Sequence, residues 1–150
     1  MDELALSVEV IQYVKIKIGD EYFGIDIKYV DNIVRMQHIT RVPKSPDYIK
    51  GVINLRGEVI PVFSLRLKMG LEEIEENKYF RIIILKYEGE SVGIIVDEVK
   101  EVVNISSDAV EKVYHNSAEG YQNFLSGVGK TECGLISLLD INEVLSDKVL

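Results

Sequence analysis

The sequence predicts an all-β (mainly β) protein: two small antiparallel barrels of about five short strands each, with a few short helices, built from a duplicated unit. Three observations predict it. Apolar and polar residues alternate over short runs, glycines punctuate those runs at turn positions, and much of the first half recurs in the second half at a fixed offset.

The elements follow in order. Val10, Val14, Ile16 and Ile18 share one parity and Lys15 and Lys17 take the other, the pattern of a half-buried strand. Gly19–Asp20 is its turn and Tyr22–Ile25 its return. Asp26 is placed to cap a short helical segment in which Ile27, Val30, Ile33 and Val34 recur at helical spacing. An extended stretch runs to Val42 and meets the breaker PKSP. The stretch GVINLRGEVIPVFSL (Gly51–Leu65) then reads as strand, tight turn, strand, with Arg56–Gly57 at its tip. Ser64 caps a second short helix carrying Leu65, Leu67 and Met69 and closed by Gly70. The acidic run Glu72, Glu73, Glu75 and Glu76 reads as a solvated connector.

Beyond the connector the pattern begins again. An offset of 69 positions lays EYFGIDIKYVDNIV on ESVGIIVDEVKEVV: Gly24 falls on Gly93, Ile27 on Val96, Val30 on Val99, Ile33 on Val102 and Val34 on Val103. An offset of 76 lays the hairpin on GVGKTECGLISLLDI, with Gly51 on Gly127, Ile60 on Ile136 and the cap Ser64 on Asp140. The seven-residue difference falls as an insertion between Asn104 and Phe124. Alternation alone recurs by chance between β-rich segments, but coincident glycines, turns and caps point to duplication. A unit this small has too little interior to stand well alone, so the two are expected to pack together over a shared core. The expected subdomains are 8–66, with the C-terminal segment 144–150, and 67–143 of one domain spanning 1–150.

Composition excludes several classes of function. The net charge of −8 argues against a nucleic-acid partner, which needs a basic face. The longest apolar runs, Ile82–Leu85 and Val92–Val96, are far short of the roughly 20 residues of a membrane span, so no direct membrane insertion is expected. The acidic start MDELALSVEV is unlike a secretory signal, and one cysteine, Cys133, supports no disulfide framework; both readings place the chain in the cytoplasm. His38, His115 and Cys133 make no metal-ligand set, and the nucleotide-binding and hydrolase motifs are missing. Asp26, Asp31 and Asp97 fall opposite Ile95, Lys100 and Lys28 in the repeat, so the duplication supports no carboxylate pair. The chain reads as an interaction module without cofactor, metal or catalysis.

The block IKGVINLRGEVIPVFSLRLKMG resembles the signature of the CheW family of bacterial chemotaxis coupling proteins, and YFGIDIKYVDNIV, VPKSPDYIKG and VGIIVDEVKEVV are similar to the same family. The resemblance runs from about Val8 to Leu145. It departs at Ser64, where the family usually carries Asp or Asn (all three are N-caps), and at the inserted Ser107–Asn123. It implies two intertwined SH3-like five-stranded barrels and a non-enzymatic adaptor. Such adaptors couple chemoreceptors, the methyl-accepting chemotaxis proteins, to the histidine kinase CheA, in arrays at the inner face of the membrane. Its implied partners are the receptors' cytoplasmic tips and the kinase's regulatory domain, which has the same fold.

With the family, Ile27, Val30, Ile33 and Val99 become candidates for an apolar receptor-binding trough, Val14 a weaker one, and Arg56 a recognition residue at its edge. Without it, such apolar residues are ordinary core and a turn arginine is ordinarily solvated. No residue is assigned to kinase binding, which is expected at a barrel end of the second unit. A detached kinase regulatory domain of the same fold is the alternative, against which the chain's own Met1 and compact ending weigh. A ligand-binding barrel or an enzyme would need a convergent polar pocket, and the sequence offers none.

Overall fold

The computed structural model describes residues 8–112 and 123–146. Its strands are β1 (Val10–Ile18), β2 (Glu21–Asp26), β3 (Val30–Arg35), β4 (Ile49–Leu55), β5 (Glu58–Ser64), β6 (Arg81–Tyr87), β7 (Glu90–Val96), β8 (Glu98–Ser106), β9 (Val110–Lys112), β10 (Leu125–Thr131) and β11 (Gly134–Leu139). Two short helices, α1 (Leu65–Lys68) and α2 (Ile141–Leu145), follow β5 and β11. Of the insertion, residues 107–112 form a 3₁₀ turn and β9, and 113–122, with His115, lie outside the described residues.

The strands form two sheets, ordered β8-β1-β2-β11-β10-β9 and β3-β6-β7-β5-β4. Under the repeat, β1 and β2 correspond to β6 and β7, β3 to β8, and β4 and β5 to β10 and β11. The five shared positions of the two sheets are then the same, with the repeats exchanged. Each sheet takes the first hairpin of one repeat and the second hairpin of the other. The joints are the two parallel pairings, Leu138 opposite Gly24 and Val62 opposite Gly93, which occupy equivalent places.

The exchange has a steric cause. β3 runs antiparallel to β6, and β6 antiparallel to β7, so in a self-contained unit β3 would lie parallel to β2 with one strand between them. A parallel crossover needs about a dozen residues. Only Ile27–Tyr29 separates β2 from β3, and only Asp97 separates β7 from β8. Neither link can double back, so each chain segment runs on into the other sheet. The described residues accordingly divide into one compact unit of residues up to Ile27 and from Lys100 onward, and another of Lys28–Val99. This division cuts across the repeats, whereas the sequence-based boundary at 66 and 67 follows them.

The duplication is visible atom by atom. A Cβ on Gly24 would lie 3.1 Å from Leu138 and 3.3 Å from Tyr13; on Gly93 it would lie 3.2 Å from Val62 and 2.9 Å from Ile82. These neighbours are themselves equivalent, so each glycine admits the same close approach of its parallel partner. Ser64 accepts a hydrogen bond from the Leu67 N–H at 3.2 Å, and Asp140 accepts one from the Glu143 N–H at 3.3 Å, capping α1 and α2 alike.

The core is apolar in each unit. In the second, Ile53, Ile60, Val62, Ile82, Ile84 and Ile95 cluster with Phe80. In the first, Tyr13, Ile105, Ile136 and Leu138 do so. Two expectations change. The spacing of Ile27, Val30, Ile33 and Val34 makes no helix: after the 3₁₀ turn Ile27–Tyr29 the chain is strand, alternating half-buried and exposed residues through β3. β-Branched residues at Val30, Ile33 and Val34 favour that outcome. β1 is also not half-buried at its centre, because Tyr13, Val14, Lys15 and Ile16 are all buried.

Candidate interaction site

The β4–β5 hairpin closes between Leu55 and Glu58, leaving Arg56 and Gly57 as a two-residue loop. Their φ values are +54° and +83°. Positive φ at both central positions is the type I′ turn, whose twist matches that of the flanking strands. The Gly57 N–H donates to Asn54 Oδ1 at 3.2 Å, tying the loop to its strand. Asn-Gly would adopt this turn at least cost. An arginine in the left-handed region costs about 1–2 kcal/mol relative to ordinary backbone. Gly57 therefore does not carry the turn alone; Arg56 shares the left-handed backbone. Arg56 is exposed, and among the described residues its guanidinium has no hydrogen-bond or ion-pair partner. The equivalent tip, Glu132–Cys133, has negative φ at both positions.

Val30 and Ile33 are brought onto one face by an irregularity. Val30 lies opposite Leu85 and Ile33 opposite Ile83, with the register shifting between Val30 and Asn32. Leu85 and Ile83 have the same parity on β6, so the bulge gives residues three apart a common face. Val34 takes the other face, against the core cluster of Ile82 and Ile84. Ile33 is 37% exposed and Val30 half-buried. Val99, the repeat partner of Val30, is half-buried at the start of β8. Ile27 is exposed in the 3₁₀ turn, although its repeat partner Val96 is fully buried. Val14 lies opposite Ile25 and is 3% exposed, so its side chain belongs to the core rather than to a surface. In the second sheet Arg56 is on the β4–β5 hairpin and Val30 and Ile33 on β3 at the other end of the strand order.

Val102, the repeat partner of Ile33, is 48% exposed. The 69-residue offset already paired it with Ile33. Asp97 is taken up structurally: Arg66 Nε donates to its two oxygens at 3.1 and 3.2 Å, with both side chains largely buried. Arg66 also donates to the Glu72 carbonyl at 2.7 Å, and Lys50 pairs with Glu73. The acidic connector is thus held to the second unit at two points. Tyr13, opposite Asp26, has its phenol pKa raised above 10.0, first by burial and then by the nearby carboxylate. Among the described residues no group of His, Cys, Asp and Glu is arranged to hold a metal ion.

Comparison with known proteins gives one consistent result. The family model described as the CheW-like domain matches residues 12–149. The chain is similar to the chemotaxis protein CheW of Helicobacter pylori, 35% identical over 91% of this chain and 82% of the relative. With CheW of Bacillus subtilis it shares 38% identity over 85% of this chain and 81% of the relative. In structure it is similar to the scaffolding protein TtCheW from Thermoanaerobacter tengcongensis, with a TM-score of 0.85 and 30% identity over 95% of this chain and 98% of that one. The duplicated, intertwined SH3-like fold is common to both.

Proposed function

This chain belongs to the CheW-like family of chemotaxis scaffold proteins, and on that premise we propose that it is a non-enzymatic adaptor coupling chemoreceptors to the histidine kinase CheA. It works at the cytoplasmic face of the receptor array, recruited by its partners; among the described residues no helix is long and apolar enough to cross a membrane. The observation that carries the reading is Arg56. An exposed arginine without a partner sits in a left-handed backbone conformation where asparagine or glycine would be cheaper. The backbone alone does not single it out, since Lys44 and Glu88 also have positive φ; the exposed guanidinium at this hairpin tip is what supports recognition. A guanidinium offers five donors in a rigid fork and suits recognition of a receptor surface.

The receptor tip is helical in this proposal and lays an apolar face against Val30 and Ile33, with Ile27 and Val99 contributing. The kinase's regulatory domain takes a different surface, so loss of Arg56 leaves kinase binding in place.

The test compares receptor-tip affinity with a melting curve for the same variant. Arg56→Ala keeps a side chain in the same left-handed conformation, so stability changes by less than about 0.5 kcal/mol. Receptor binding weakens by about 1–3 kcal/mol, the range of an interface anchor. Val30→Lys weakens binding too, with some loss of stability. An unchanged affinity for Arg56→Ala, or a loss that tracks a lowered melting temperature, would return Arg56 to a solvated tip.

A further inference from the structure

Two links that the repeat makes equivalent are built differently. Ile27–Tyr29, between β2 and β3, is a 3₁₀ turn that leaves Ile27 36% exposed. Between β7 and β8 the equivalent residues are Val96, Asp97 and Glu98. Here β7 runs on through Val96, which is fully buried, and β8 begins at Glu98, so that Asp97 is the whole link.

The sheet itself brings a cation to Asp97. β5 and β7 run parallel with Ser64 opposite Ile95, so Arg66 and Asp97, each two residues further on, come alongside each other. Arg66 Nε donates to both Asp97 oxygens, and its Nη1 donates to the Glu72 carbonyl at 2.7 Å. The Arg66 and Asp97 side chains are only 15% and 14% exposed. Bonds between charged partners are roughly twice as strong as neutral ones, and the second donation fixes the plane of the guanidinium. At the equivalent positions of the other repeat stand Asn142 and Lys28, which cannot form an ion pair. The link with the tethered carboxylate is extended and keeps its apolar residue inside; the link without one turns its isoleucine out.

We propose that Arg66 is a positioning residue of the receptor-binding surface, acting through Asp97. A link of one residue has only its two soft backbone dihedrals with which to set where β8 begins, and the short Asp97 side chain passes the hold on its carboxylate to both. Arg66 thereby keeps Val96 inside and Val99, two residues beyond Asp97, at its half-buried place. The first link offers Ile27 and Val30 to the receptor, and the second offers Val99 alone. The proposal rests on the reading of Val99 as a receptor contact.

The test uses the whole chain carrying Arg66→Lys or Asp97→Asn. Lysine keeps the charge but lacks the planar fork that serves Asp97 and the Glu72 carbonyl together, and asparagine keeps the shape without the charge. Methyl NMR with a soluble paramagnetic probe reads exposure. In the wild type the Val96 methyls are shielded; in both variants they become accessible, as Ile27 already is, while the chain stays folded by circular dichroism. The dissociation constant for a purified receptor tip rises about threefold to tenfold, but about twofold or less when Val99→Ala is already present, the non-additivity of residues that act through one another. A general loss of stability would produce neither pattern. Val96 methyls that stay shielded in both variants would overturn the proposal, and so would an affinity loss of the same size with Val99→Ala present. If Val99→Ala alone leaves affinity unchanged, the receptor surface fails and the proposal with it, even where the probe shows Arg66 holding the link.

Discussion

Arg56 and Tyr13 each yield a measurement. Arg56→Gly relieves the left-handed strain but adds chain entropy to the unfolded state, so the net expectation is a gain of about 0.5–1 kcal/mol by denaturant unfolding. No gain would mean that Arg56 is not strained. Tyr13 has a folded pKa above its unfolded value of 10.0. Its contribution is therefore complete below pH 10 and is lost as pH rises through the folded pKa, because the unfolded state ionises first. Stability of the wild type should fall from about pH 10 upward, and Tyr13→Phe should flatten that limb; equal slopes would remove Tyr13 as the cause. In the sequence Arg56 stands out as an arginine at a hairpin tip, and its NLRG context makes it a recognition candidate. Its φ was not legible, because it depends on the Leu55–Glu58 closure that makes the loop two residues long. Lys15 was read as facing water by its parity, yet the centre of β1 is covered on both faces.

At the level of elements, the helix caps test the duplication. Ser64→Ala and Asp140→Ala each remove the acceptor for one N–H at the start of a short helix, and each should cost about 1 kcal/mol. Thermal melts of the two variants should agree within about 0.5 kcal/mol, since the caps occupy equivalent places. A cost at one site alone would show that the two helices are held differently. The caps, the hairpins and the glycine pair were legible because each rests on local chemistry within a few residues. β3 was not. Val30 and Ile33 at helical spacing look like one face of a helix, and a bulged strand produces the same common face. Spacing alone cannot separate the two, whereas the β-branched content of the segment favours strand.

For the whole molecule, repeat content was legible and the exchange of hairpins came from pairings that no local pattern records. Val62 opposite Gly93 and Leu138 opposite Gly24 join segments far apart in the chain. The three-residue link Ile27–Tyr29 was the available clue, since it is too short for a parallel crossover. Fragments 1–66 and 67–150 should therefore be unfolded apart by circular dichroism and regain structure on mixing; a fragment that folded alone would refute the exchange. The adaptor reading makes the strongest demand on the intact chain. The most direct measurement is co-sedimentation of purified CheA with membranes bearing chemoreceptors, with and without this protein. The account predicts that the kinase pellets only when the chain is present, and that Arg56→Ala reduces pelleting while the soluble chain–kinase complex survives. Kinase pelleting equally well without the chain, or a chain that binds neither partner, would contradict it.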